Sequence, residues 1–197
     1  MKILFIRHAE TQTNVNQLTH KIGDPIGLTE LGQQQAKQLT QVCKNKQVEI
    51  VFSSPEQRAV ETAEIISKDL KINLEVLKEL AERNWGEWEG KTWFEIEKVL
   101  TLMSLEERYN FIPLKGESWQ QMEERLKNGL DNIIKRGYGT VAVITHEGAL
   151  RGIMPLVLNS PKESSFKYHF ENASITSFEY KNDKFNELKV NDTLHLS

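Results

Sequence analysis

One cysteine, Cys43, is all the chain carries, so no disulfide can close within it. No apolar run approaches the ~18 residues that a membrane-spanning helix needs. No basic block occurs either. The 25 basic and 28 acidic residues leave a net charge of -3, and the electrostatic footprint of a nucleic-acid binder is missing. The apolar residues 1–6 are too few for the core of a signal peptide. No Walker-type Gly-Lys-Ser/Thr is present, and the five histidines lack zinc-ligand spacing. Cys43 lacks the downstream arginine of a cysteine-phosphatase loop. Internal repeats and low-complexity tails are also missing. What remains is a cytoplasmic enzyme or binding domain. At 197 residues and 39% apolar content, the chain is sized for one domain, 1–197, with a substantial core.

The apolar patterning is that of an α/β protein. Strand signals fall at about 2–6, 47–53, 73–77, 140–145, 174–180 and 184–190, with helical periodicity between them. Thr29-Glu30-Leu31 opens one helix, followed by Ala36, Leu39 and Val42. Pro55 is placed to open a second in the favoured first turn, continuing through Val60, Ala63, Ile66 and Leu70. Ser118 with Gln121 forms a capping-box pattern ahead of a third, which Gly137 and Gly139 end. Lys181-Asn182-Asp183 signals a hairpin between the last two strands. This alternation predicts a three-layer α/β/α sandwich with a mostly parallel central sheet. Residues 84–119 break the pattern and hold all four tryptophans, Trp85, Trp88, Trp93 and Trp119. They predict a lid-like excursion, whose rings either close over a site or simply pack the segment to the body.

Four segments carry chemistry. Arg7-His8-Ala9-Glu10-Thr11, with Asn14 beyond, follows the first buried strand. Open α/β sheets bind ligands at the carboxyl ends of their strands, and an arginine there suits a phosphate or carboxylate because its planar fork donates two parallel hydrogen bonds. Ser53-Ser54-Pro55-Glu56-Gln57-Arg58-Ala59 places Arg58 in the first turn of a helix, where free N–H groups already favour anions. Glu82 lies in Leu80-Ala81-Glu82-Arg83-Asn84-Trp85-Gly86. Thr145-His146-Glu147-Gly148 ends another buried strand in a histidine.

Together, in this order and spacing, these segments resemble the histidine phosphatase superfamily, also called phosphoglycerate mutase-like, across essentially the whole chain. The Ser-Ser-Pro-x-x-Arg-Ala-x-x-Thr-Ala element is complete; Gly116-Glu117-Ser118, the segment from Phe170 to Thr176 and Asn191-Asp192-Thr193-Leu194-His195-Leu196 look like its phosphatase members. The resemblance implies a phosphatase of small phosphomonoesters that uses no metal and forms a phosphohistidine on His8. It implies that Arg7, Arg58 and His146 stabilise the phosphoryl oxygens, with Asn14 as a further donor, and that Glu82 acts as general acid and then base. The phosphate-binding set expected is Arg7, Asn14, Arg58, His146, Glu147 and Gly148. Two alternatives stand beside this: a phosphoglycerate mutase using the same phosphohistidine, and a non-catalytic phospho-ligand module. Mutases of the family are typically longer.

The chain departs from the family pattern in places. Ala9 replaces a glycine beside the nucleophile, Gly27 stands where proline is usual, and Glu147 puts a carboxylate at the mouth of an anion pocket. That carboxylate repels phosphate unless it points away or pairs with a cation. His20, His169 and His195 are expected to be structural or surface residues, Ser118 a helix cap and Cys43 a packing residue. Arg151 either buttresses the site or faces solvent. A small phosphomonoester is the expected partner, with no nucleic acid, no membrane and a homodimer as an open option.

Overall fold

The computed structural model describes residues 1–197. Its first strand, β1 (Lys2–Arg7), alternates as a pleat requires: Ile3 and Phe5 join the apolar cluster on one face of the sheet, Leu4 and Ile6 the cluster on the other. β4 (Thr140–Thr145) pairs with it in parallel, and β2 (Ile50–Ser53) and β3 (Asn73–Val76) extend the parallel part. On the other side β5 (Ile175–Lys181) and β6 (Lys184–Asp192) pair antiparallel, giving the order β3-β2-β4-β1-β5-β6. The expected turn joins β5 to β6. Asn182 and Asp183 both have positive φ, 52° and 58°, as the tight hairpin turn demands and as these side chains tolerate.

Helices cover both faces, so the expected three-layer sandwich forms. α1 (Gln12–Val15) is a single turn beside the site. α2 (Glu30–Asn45) buries Ala36, Leu39 and Cys43, spaced three and four residues apart, against Leu4 and Ile6; α3 (Gln57–Leu70) adds Ala59, Ala63 and Ile66. Burying a leucine such as Leu39 is worth about 1.5–3 kcal/mol. α6 (Trp119–Lys135) and α7 (Glu147–Leu158) cover the opposite face through Leu126, Leu130, Ile133, Leu150 and Ile153. The predicted capping box starts α6: Ser118 Oγ accepts from the Gln121 N–H at 3.0 Å, and Gln121 Oε1 accepts from the Ser118 N–H at 2.9 Å. β1 and β4 are neighbours, but the chain leaves β1 towards the α2 face and β4 towards the α7 face. That divergence opens a crevice at their carboxyl ends, where the sequence places His8 and His146.

Residues 84–118 leave the sandwich and carry α4 (Trp93–Leu100) and α5 (Leu105–Asn110). They have a small core of their own, in which Trp85, Trp88 and Ile96 pack with Leu100 and Phe111. Backbone bonds from Thr19 N–H to Lys91 and from Trp93 N–H to Gln17 tie the excursion to the loop after α1.

Three expectations need correction. β2 starts at Ile50, not 47, because Gln47 takes a left-handed φ of 57° just after α2. Pro55 is not in the first turn of α3. That helix starts at Gln57 with Glu56 as its N-cap residue, because Ser54, Pro55 and Glu56 are used to shape the site. Trp119 belongs to α6 and the main core rather than to the excursion.

Candidate active site

His8 follows β1 directly and is buried. Its backbone N–H donates to Thr145 at 2.8 Å, which fixes the tip of β1 against the tip of β4. Its ring Nδ1 lies 2.8 Å from the Ala9 carbonyl oxygen. A carbonyl only accepts, so Nδ1 carries the hydrogen and Nε2 carries the lone pair. Burial, then the charges of Arg58, His146, Arg7 and His20, hold the His8 pKa well below the ordinary 6.5. The imidazole is therefore neutral and nucleophilic at any physiological pH. Ala9 is fully buried, outside the left-handed region, and its N–H donates to Thr62 Oγ1 at 3.1 Å, so alanine fits where the family prefers glycine.

Arg58 lies in the first turn of α3, 2% exposed, and no protein atom accepts from its Nε. Burial depresses its pKa, with Glu56, Glu82 and Asp24 acting in the opposite sense. Arg7 donates through Nη1 to the Phe170 carbonyl at 2.5 Å and pairs with Glu147 Oε2 at 2.9 Å. Glu147 Oε1 also meets His169 Nδ1 at 2.7 Å. The carboxylate at the mouth of the pocket is thus neutralised by a cation, which removes the conflict that its position posed. Asn14 Oδ1 accepts from the Thr11 N–H at 3.0 Å, from Thr11 Oγ1 at 2.9 Å and from Asn172 Nδ2 at 3.2 Å, which orients the amide nitrogen; Nδ2 lies 3.4 Å from His20 Nε2 and has a second N–H to donate.

Glu82 is held by backbone. Its Oε1 accepts from the Arg83 N–H at 2.7 Å and its Oε2 from the Gly148 N–H at 3.1 Å. Gly148 was expected to bind phosphate; its N–H is instead committed to Glu82, because the carboxylate reaches across to the first turn of α7. A Cβ on residue 148 would collide with Glu82 Oε1, the movable end of the side chain. Gly148→Ala should therefore fold normally but displace the carboxylate, lowering kcat by about tenfold or more with a small change in Tm; steady-state kinetics beside a thermal melt checks this. Arg125 of α6 sets the backbone of this loop. It donates to the carbonyls of Glu79 at 3.0 Å, Ala81 at 2.7 Å and Glu82 at 2.9 Å while paired with Glu117.

His146 is the N-cap residue of α7 and fully buried. Its Nε2 lies 2.9 Å from Glu56 Oε2 and 2.5 Å from Ser54 Oγ. A carboxylate only accepts, so Nε2 bears a hydrogen, and Nδ1 has no protein partner. Burial works to raise the Glu56 carboxyl, but His146, Ser54 and Arg58 together outweigh it and hold it below the usual carboxylate range. The His8 and His146 ring centroids are 5.1 Å apart.

His8, Arg7, Asn14, Glu82, Glu147 and Gly148 line one cavity of about 480 Å³, with Arg58 and His146 buried beside it. Trp85, Trp93 and Trp119 also line it, whereas Trp88 stacks on Phe111 at 5.0 Å inside the excursion. The segment is therefore partly lid and partly self-packing.

One histidine departs from the expectation, and a second keeps its surface place at the rim of the cavity. His20 lines the cavity, its ring edge-on to His8 at 5.7 Å, and burial followed by the charges of Arg58, His146 and Arg7 push its pKa down to about 2. His169 lines the mouth. His195 fits its structural assignment, with Nε2 3.1 Å from the Ala173 carbonyl oxygen. Glu56 and Arg125 also escaped notice, since nothing in spacing separates an ordering carboxylate or arginine from a solvated one.

His8, His20 and His146 all have pKa values below the 6.5 they have when unfolded. Below pH 6.5 the unfolded chain binds protons that the folded chain refuses, so stability falls as pH drops through that value. The slope is up to about 1.4 kcal/mol per pH unit for each histidine. Thermal melts from pH 7.5 to 5 should show a falling Tm, with a shallower fall for His8→Asn.

The sequence profile of the histidine phosphatase superfamily (branch 1) matches residues 3–193. The chain belongs to that superfamily, and it is a phosphoric monoester hydrolase by class. It is 29% identical over 197 residues to the putative phosphoserine phosphatase 2 of Hydrogenobacter thermophilus, covering 98% of this chain and 97% of that one. It is 25% identical over 199 residues to the adenosylcobalamin/alpha-ribazole phosphatase of Escherichia coli, covering 96% and 95%. Among solved structures, YhfR of Bacillus stearothermophilus superposes with a TM-score of 0.87 at 26% identity, covering 100% of this chain and 99% of that one.

Proposed function

We propose that the protein hydrolyses small phosphomonoesters through a phosphohistidine on His8. The observation that carries this reading is the His8 tautomer. Its Nδ1–H is fixed on the Ala9 carbonyl, which leaves Nε2 as a neutral nucleophile in a cavity shared with Glu82 and flanked by Arg58. In the first step Nε2 attacks phosphorus, the P–O bond to the leaving group breaks, and Glu82 protonates the departing oxygen. Arg7, Arg58 and Asn14 donate to the equatorial oxygens, where charge accumulates; His146, whose Nε2–H is held on Glu56, joins them through Nδ1 once the negative charge of the substrate offsets the burial that keeps its ring neutral. In the second step Glu82 takes a proton from water, the water oxygen attacks phosphorus, and the N–P bond breaks to release inorganic phosphate. Glu147 orients Arg7, and Gly148 orients Glu82.

The reading assigns no resident metal or cofactor. Its partner is a small phosphomonoester rather than nucleic acid or membrane. The relatives named for phosphoserine and alpha-ribazole phosphate mark the size of ester to test first. Cytoplasmic location belongs to the proposal and rests on the single cysteine, Cys43, being free and buried; no helix is long and apolar enough to cross a membrane. So does self-association, for which the edge strands β3 and β6 are the available surfaces. The test is phosphate release from a panel of esters in EDTA. Release that survives chelation supports the reading. No release, with isomerisation of phosphoglycerates in its place, would establish the mutase alternative.

A further inference from the structure

Glu56 does not cap its own helix. It holds the N-cap position of α3, yet its side chain makes no bond to the first turn, where an N-cap oxygen ordinarily satisfies a free N–H. It turns into the site instead, and both oxygens are committed there. Oε2 accepts from His146 Nε2 at 2.9 Å and from the Ser54 hydroxyl, and Oε1 accepts from the Glu82 N–H at 3.2 Å. With both oxygens taken by protein groups, the carboxylate acts through its neighbours rather than on substrate. The pair is deeply buried: the His146 side chain is fully enclosed and the Glu56 side chain is 10% exposed. Desolvating a carboxylate and an imidazole together costs stability, and such pairs gather where a proton is held or moved.

His146 meets charges of both signs. Arg58 faces it from the first turn of α3 and Glu56 from the residue before that helix, Glu82 from the loop beyond β3, His8 from the end of β1 and His20 from the loop after α1. Burial and then Arg58 hold the ring neutral in the empty site, against the pull of Glu56 and Glu82. With its one hydrogen fixed on Glu56, the neutral ring has a bare lone pair at Nδ1, an atom that is buried and without a protein partner. A lone pair only repels a phosphoryl oxygen. A proton on Nδ1 reverses this. The ring then donates to Glu56 through Nε2 and to a phosphoryl oxygen through Nδ1, and its positive charge lies between two negative groups.

We propose that Glu56 is a positioning residue that loads His146 with this second proton, so that phosphate binding takes up a proton and a carboxylate out of the substrate's reach sets the upper pH limit of turnover. This rests on the phosphatase reading of the same cavity. The proton passes from solvent water to Nδ1 as the phosphoryl group arrives and returns to water when inorganic phosphate leaves. The P–O and N–P bonds form and break as before, and Glu82 keeps its own proton cycle.

The test labels the histidines with nitrogen-15 and reads their protonation by NMR near neutral pH, with His146→Asn assigning the signal. Without ligand, His146 should carry one hydrogen, on Nε2; in saturating inorganic phosphate it should carry two. In Glu56→Gln, whose amide oxygen can still accept from Nε2 but bears no charge, the ring should stay neutral in phosphate. The alkaline limb of kcat, which reports the enzyme–substrate complex, should then move down by about one pH unit or more, because less of the ring holds its proton at a given pH. A purely structural role for Glu56 would lower kcat evenly and leave the limb in place. Glu56→Asp, which keeps the charge on a shorter arm, should gain the second proton and move the limb only part of the way; it carries the test if the glutamine variant does not fold. If the wild type hydrolyses no ester, yet phosphate loads His146 and the glutamine variant prevents it, the phosphatase reading fails and this inference stands. If esters are hydrolysed while wild-type His146 stays neutral in saturating phosphate, the inference is overturned. It is overturned equally if Glu56→Gln gains the second proton as readily as the wild type, or if neither variant moves the limb.

Discussion

Replacing His8 by asparagine should lower kcat/KM for every phosphomonoester the wild type hydrolyses by at least about a thousandfold. Asparagine matches the bulk of the ring and can keep a donor towards the Ala9 carbonyl, but it offers no nitrogen lone pair to phosphorus. The surrounding cations are untouched, so substrate should still bind and the loss should fall on kcat. The same change removes a buried group whose protonation opposes folding in acid, so the variant should melt no lower than the wild type at pH 5. Steady-state kinetics with a pair of melts checks both halves. Because burial and four neighbouring charges keep His8 neutral, the wild type should also show no loss of kcat/KM from protonation of this group between pH 7 and 5.

Arg58→Met should cost about a hundred- to a thousandfold in kcat/KM, the range for removing a principal donor to a charged transition state. Here too stability and activity should part company. The guanidinium is 2% exposed, its Nε bonds to nothing in the protein, and burial lowers its pKa. A methionine of similar length fills the space without a desolvated charge, so the fold should be unchanged or stabilised by about 1 kcal/mol or more. Thermal melts of the two proteins decide it: a large drop in Tm for Arg58→Met would mean that the arginine is a structural anchor.

Much of this was legible in the residues because strands and motifs share their boundaries. β1 and β4 are short buried runs that each end in a histidine, so marking the strands also marked His8 and His146. Arg58 followed from its place at a helix start, although the start lies at Gln57 rather than Pro55. Glu82 has no such punctuation; among Glu79, Glu87 and Glu89 only family resemblance singled it out, and the contact that orients it runs to Gly148, far along the chain. His20 was misread for the same kind of reason. Its loop carries no periodicity, and what holds that loop against the cavity is backbone pairing of Thr19 with Gly90 and Lys91, far along the chain. Glu56 and Arg125 act by touching other functional groups at a distance in sequence, which no spacing rule reports. Glu147 shows the converse: its identity was plain, but only the structure shows that Arg7 and His169 neutralise it.

The most direct test of the phosphohistidine is a quenched turnover. The enzyme is mixed with an ester carrying labelled phosphorus, stopped in alkaline denaturant within the first turnover, and its peptides are mapped. A label that is stable to base, lost in acid and confined to the peptide containing His8 is the predicted result. Steady phosphate release with no label on the protein at any quench time, in wild type and in Glu82→Gln alike, would mean that water attacks phosphorus directly, contradicting the mechanism.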